Sequence, residues 1–99
     1  MLNLTNIIGF DWDGGNDRKN DKHTVSMAEA EQLFFNDPLL LLEDAKHSHS
    51  ESRIHALGKT DEARMLHITF TLRKKNTLIR VISARDKHKK ERAYYEQTT

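Results

Sequence analysis

The sequence predicts an α+β fold: a mainly antiparallel sheet of about four or five strands, two helical segments near the N-terminus and a C-terminal helix. Three observations carry this reading. Arg64 to Leu72 alternates, with Leu66, Ile68, Phe70 and Leu72 on one side and Met65, His67, Thr69 and Thr71 on the other. Leu78-Ile-Arg-Val-Ile-Ser-Ala-Arg85 is rich in the β-branched residues that favour strands. Ser26-Met-Ala-Glu29 is a capping box that opens a helix well ahead of both. Helices and hairpin-linked strands are thus set apart along the chain, as an α+β domain requires.

The elements follow in order. Ile7 to Trp12 reads as a first strand, ended by Asp13-Gly14-Gly15. Asn16 to His23 holds no apolar residue, so periodicity leaves it open between a short helix capped by Asp13 and a loop. Behind the capping box, Met27, Ala30 and Phe34 form an apolar stripe supported by Leu33, and Val25 is placed to staple onto Ala30. Asp37-Pro38 stops that helix, because the residue before a proline is pushed out of the helical region. Leu39 to Leu42 is a short strand, and the polar stretch Glu43 to Ser52 is a loop or strand extension. Ser52 to Leu57 forms the next strand. Arg73-Lys-Lys-Asn76 makes a tight basic turn into the strand Thr77 to Ala84, and Ser83 to Asp86 caps the last helix.

Ninety-nine residues make one small domain, 1–99, with one modest core. The longest apolar run, Leu39 to Leu42, is far too short to span a bilayer, and the N-terminus lacks the pattern of a secretory signal. The chain has no cysteine, which excludes disulfides, thiol nucleophiles and thiolate metal sites; a cytoplasmic protein is the simplest expectation. The net charge of +1 hides a split: residues 1–51 carry 4 Lys/Arg against 10 Asp/Glu, or −6, and residues 52–99 carry 12 against 5, or +7. A basic second half suits a protein whose working face meets an anion.

Arginines inside a strand point the same way, since guanidinium groups are rarely buried without partners and their planar fork fits phosphate. Arg80 and Arg85, five positions apart, fall on opposite faces by strand parity. Arg80 then shares a side with Leu78 and Ile82 and is suited to pair with Asp11 or Asp13. Arg85, at the strand-to-helix junction, is suited to meet phosphate. These features point to nucleic acid and do not by themselves distinguish cutting from binding. Cutting would also need groups that accept and return a proton, and histidine titrates in the right range. Lys22 and His23 sit together just before a helix start, and Glu51 precedes Arg53 by two, so that both project from one side of a strand. Residues able to hold a phosphate or move a proton are thus Lys22, His23, Glu51, Arg53 and Arg85, the candidate catalytic set for a chain that cuts RNA as the resemblance given next implies. The candidate RNA contacts are Arg73, Arg80, Lys87, Lys90, Arg92 and Tyr95, with Tyr94 as a second ring able to stack on an unpaired base. His47, His49 and His55 alternate in and near a Ser-rich loop, a spacing that falls short of a zinc motif, so no metal site is assigned.

Several short pieces, in their order, resemble the BrnT family. They are Phe10-Asp-Trp-Asp13, Asn20-Asp-Lys-His23, Val25-Ser26, Glu29-Ala30, Phe35-Asn-Asp-Pro38, Arg53 with Gly58, and Ile79-Arg-Val-Ile-Ser-Ala-Arg85 with Glu91-Arg92 and Tyr95. The resemblance runs from about Phe10 to Glu96. It implies a toxin of a type II toxin–antitoxin system with a RelE-like fold: an endoribonuclease that needs no cofactor. It also implies a BrnA-like antitoxin that binds the toxin and reaches operator DNA as the repressor, within a toxin–antitoxin complex of higher order. Two positions depart from the family pattern: Asn16 stands where a Lys is usual, and Met27 where an aromatic is usual. A second reading stays open from the residues alone, a non-catalytic module that uses the same basic face to hold nucleic acid or a partner.

Overall fold

Met65–Arg73 is the central strand of the molecule: strands on both edges pair its backbone, and its apolar half is buried under a helix packed on one face. The computed structural model describes residues 4–12, 25–47 and 51–99. Its elements are β1 (Gly9–Phe10), α1 (Met27–Phe35), β2 (Leu40–Glu43), a single 3₁₀ turn (Ala45–His47), β3 (Ile54–Lys59), β4 (Met65–Arg73), β5 (Leu78–Asp86) and α2 (Lys89–Thr98). The five strands form one sheet in the order β1-β5-β4-β3-β2. Strands β2 to β5 pair antiparallel, and β1 adds to β5 in parallel, so the sheet is mixed at one edge. Of the two helical segments expected near the N-terminus, α1 is present; the other, at Asn16 to His23, lies outside the described residues.

Helix α1 begins as its capping box dictates. The Ser26 hydroxyl accepts the Glu29 N–H at 3.1 Å, and the Glu29 carboxylate accepts the Ser26 N–H at 3.1 Å. Its buried side, Ala30 and Leu33, packs with Val25 onto Ile54, Ala56, Leu66, Ile68, Phe70, Ile79, Val81 and Ala84. Phe34 sets its ring edge-on to Phe70 with centroids 5.1 Å apart, and Phe10 follows at 5.6 Å from Phe34. The Trp12 indole N–H donates to Glu31 at 2.7 Å, fastening the segment that follows β1 to α1. Close approach sets one residue type outright. A Cβ on Gly58 would stand 2.9 Å from Leu33 Cγ, so β3 admits α1 at this distance only with glycine there.

The register of β5 corrects the parity argument. Thr69 pairs with Ser83 while Phe70 pairs with Val81, so Ile82 is an extra residue with no opposite number. That bulge switches the alternation part-way along the strand. Arg80 lies opposite Thr71 and Arg85 opposite His67, and Thr71 and His67 share one face of β4. The two arginines are therefore on the same face of the sheet, the one away from α1. The expected cap at Ser83 to Asp86 also moves: β5 runs on to Asp86, and α2 starts from His88, whose N–H donates to the Glu91 carboxylate at 2.9 Å.

Candidate nucleic-acid interface

The face away from α1 carries the polar half of each strand, and α2 lies against β3 on this side. From β3 it takes His55 and Leu57, from β4 His67, Thr69, Thr71 and Arg73, and from β5 Arg80, Ser83 and Arg85. Across the middle runs a hydrogen-bonded chain. Asp44 Oδ2 is 2.9 Å from His55 Nε2, and His55 Nδ1 is 3.0 Å from both Thr69 Oγ1 and His67 Nε2. The two imidazoles stack with centroids 4.8 Å apart. A carboxylate only accepts, so His55 donates to Asp44 from Nε2, while the direction of the His55–His67 contact follows the tautomers of the two rings. His67 Nδ1 is left buried without a hydrogen-bond partner. Burial lowers the His67 pKa to about 4, so its 3.7 Å approach to Glu91 is no ion pair at neutral pH.

The arginines are held by carboxylates of the same chain. Arg85 makes a two-pronged contact with Glu91, Nη1 to Oε1 at 2.8 Å and Nη2 to Oε2 at 2.9 Å. That contact is the main reason the Glu91 pKa falls to about 2. Arg80 reaches Asp11 at 3.4 Å, one of the two partners expected for it, and Arg73 reaches Glu51 at 3.1 Å. All three pairs are part-exposed, so each is of small net energy and open to exchange with an incoming anion.

The expected site residues thus fall into groups. Arg53 precedes β3 and is exposed; its carbonyl accepts the Asp44 N–H at 2.9 Å. Glu51 pairs with Arg73 from the loop ahead of β3, so Glu51 and Arg53 do not project side by side from a strand. Lys90 and Arg92 are exposed on α2. Lys87 turns inward: its Nζ sits 3.4 Å over the Tyr95 ring, is buried without a hydrogen-bond acceptor, and has its pKa lowered to about 8, chiefly by burial. Tyr95 is only 4 % exposed, and its hydroxyl donates to the Pro38 carbonyl, whereas Tyr94 is 46 % exposed. The packing of α2 on the sheet thus turns Lys87 and Tyr95 inward and leaves the Tyr94 ring open. Lys22 and His23 lie outside the described residues.

Sequence reasoning missed Asp44 and the pairing of His55 with His67. The signal for His67 was its place on the polar half of β4; the register that brings His55 beside it comes only from strand pairing. Among the described residues, no group of three or more His, Asp or Glu side chains is arranged to hold a metal ion.

Comparison with family models decides the assignment. The model of the ribonuclease toxin BrnT of type II toxin–antitoxin systems matches residues 12–91. The chain belongs to the BrnT family. The match runs from Trp12, just after β1, through Glu91 and so takes in both the Arg80–Arg85 strand and the start of α2. No curated protein matches the chain. Membership brings a ribonuclease activity at the level of the family, and an antitoxin as the expected partner. Among the described residues, no helix is long and apolar enough to cross a membrane.

Proposed function

We propose that this BrnT protein is a metal-independent endoribonuclease that cuts RNA to arrest translation and growth, and that a BrnA-like antitoxin neutralises it and carries the complex to operator DNA. The observation that carries the reading is the bulge at Ile82, which sets Arg80 and Arg85 on the same face as Arg73, His55 and His67. In such a reaction the 2′-hydroxyl attacks the adjacent phosphorus, a base takes its proton, the 5′-oxygen leaves with a proton, and fixed cations stabilise the charged phosphate. Arg85 and Arg53 are assigned to the phosphate, Lys22 and His23 to proton transfer and charge, and Glu51 to orienting Arg73. In the free protein the Glu91 carboxylate occupies the guanidinium fork of Arg85, so docking of a phosphate exchanges one anion for another. A RelE-like arrangement, in which RNA crosses the open side of the sheet, fits this reading.

The experiment is cleavage of a labelled single-stranded RNA in the presence of EDTA. Cutting that survives the chelator and is lost in Arg85→Ala, Arg53→Ala or His23→Ala supports the enzyme; cutting abolished by the chelator overturns metal independence. A second reading, a non-catalytic binding module, is favoured by the internal pairing of Arg73, Arg80 and Arg85. It predicts RNA that is retarded but intact.

A further inference from the structure

Between α2 and the sheet lies a cleft of about 350 Å³ that the catalytic assignment above does not use. Its wall on the sheet side is Leu42 and Leu57 with the stacked rings of His55 and His67; its wall on α2 is Tyr94, Lys90 and Glu91. The volume is that of a site for one small molecule, at the lower end of the roughly 300–1,000 Å³ range of ligand clefts.

The chemistry of the walls narrows the occupant. Leucine side chains and ring faces favour a flat, π-faced group, and Tyr94 keeps nearly half its surface open to supply one. Lys90 stands four residues before Tyr94, so the two side chains are neighbours on the same side of the helix. The Glu91 carboxylate is engaged by the Arg85 guanidinium, which offsets its charge and leaves Lys90 as the cation that lines the cleft. The hydrogen-bond chain from Asp44 leaves both imidazoles engaged with each other at the cleft wall, their rings stacked beside the leucines. A planar ring that carries an anion at its edge matches all of these features.

We propose that this cleft binds one unpaired nucleotide of the RNA substrate, the base lying between Tyr94 and the Leu42–Leu57 wall and its phosphate at Lys90. The proposal rests on the ribonuclease reading for its substrate class. It adds a binding subsite apart from the arginines and gives α2 a direct part in holding RNA. Stacking on an aromatic platform tolerates any base, so the subsite contributes affinity and position more than sequence choice.

The test is an NMR titration of the whole protein that follows the His55 and His67 ring signals and the Tyr94 ring signals. Adenosine 3′-monophosphate is the probe, with ribose 5-phosphate and inorganic phosphate as probes that lack the base. The nucleotide is expected to shift all three sets of signals, and the base-free anions to leave them in place. Tyr94→Ala is expected to weaken nucleotide binding about tenfold, and Tyr94→Phe to keep it, since the ring and not the hydroxyl is the platform. Equal shifts with inorganic phosphate, or Tyr94→Ala binding like the wild type, overturn the proposal. An acidic peptide that shifts these signals where the nucleotide does not overturns it too. RNA cleavage by the same variants separates the two claims: wild-type cutting with Tyr94→Ala unaltered in KM and kcat sinks the subsite alone. Nucleotide binding in a protein that cuts no RNA sinks the ribonuclease reading alone.

Discussion

His67 is a base held without its proton. Its pKa drops from the usual 6.5 to about 4, first because burial disfavours the charged ring, with Arg85 and His55 adding to the shift against the opposing pull of Glu91. The unfolded chain then binds a proton that the folded chain refuses between pH 6.5 and about 4, so stability is full above this window and falls as the pH drops through it. Glu91 adds a second, lower window: its pKa falls from 4.5 to about 2, and the stability it contributes is lost as pH falls through that range. A series of thermal melts from neutral to acid pH is expected to decline in these two stages. His67→Gln is expected to flatten the upper stage and leave the lower one; a variant with the wild-type profile would show that the imidazole is not the titrating group.

At the scale of elements, the contact of α1 with β3 is the tightest constraint. Gly58→Ala drives a methyl to within 2.9 Å of the Leu33 Cγ, a branched carbon at the centre of a fully buried side chain. Such overpacking is expected to cost about 1–3 kcal/mol, read as a lower denaturant midpoint with little change in slope. Local patterns foretold much at this level. The Ser26–Glu29 box, the halt at Asp37-Pro38 and the alternation of β4 depend on neighbours within a few positions, and the observed α1 and β4 match them closely. What local pattern could not supply was pairing. The extra residue at Ile82 is defined only against β4, so a count along β5 put Arg80 and Arg85 on opposite faces. The same limit hid Asp44 and the His55–His67 stack, which meet across 11 and 12 positions of chain. Tyr94 and Tyr95 are adjacent in sequence, and only the seating of α2 tells which one is buried.

Across the whole molecule, the uneven charge of the sequence is redistributed by folding. Basic side chains of the second half meet acidic partners of the first: Arg80 with Asp11, Arg73 with Glu51, and Arg64 with Glu29. The +7 half is thus partly cancelled, and the exposed cations Lys89, Lys90 and Arg92 are left as a patch on α2. For single-stranded nucleic acid each neutralised phosphate contributes about −0.7 to the slope of log affinity against log salt, so these three cations together with Arg53 and Arg85 give about −3.5. Anisotropy titrations of a labelled RNA over a series of salt concentrations are expected to return that slope. A value of about −2 would mean that Arg85 keeps its carboxylate and, with Arg53, stays out of the interface.

The irregularity at Ile82 also governs how relatives of this chain should be compared. With one residue removed there, Val81, Ser83, Ala84 and Arg85 would alternate regularly against Phe70, Thr69, Ile68 and His67, so the same sides match between the two chains only across a gap at Ile82. An alignment that slides by a single column across this strand therefore equates a solvent-facing cation with a core position, and conservation scored from it would describe two different places in space.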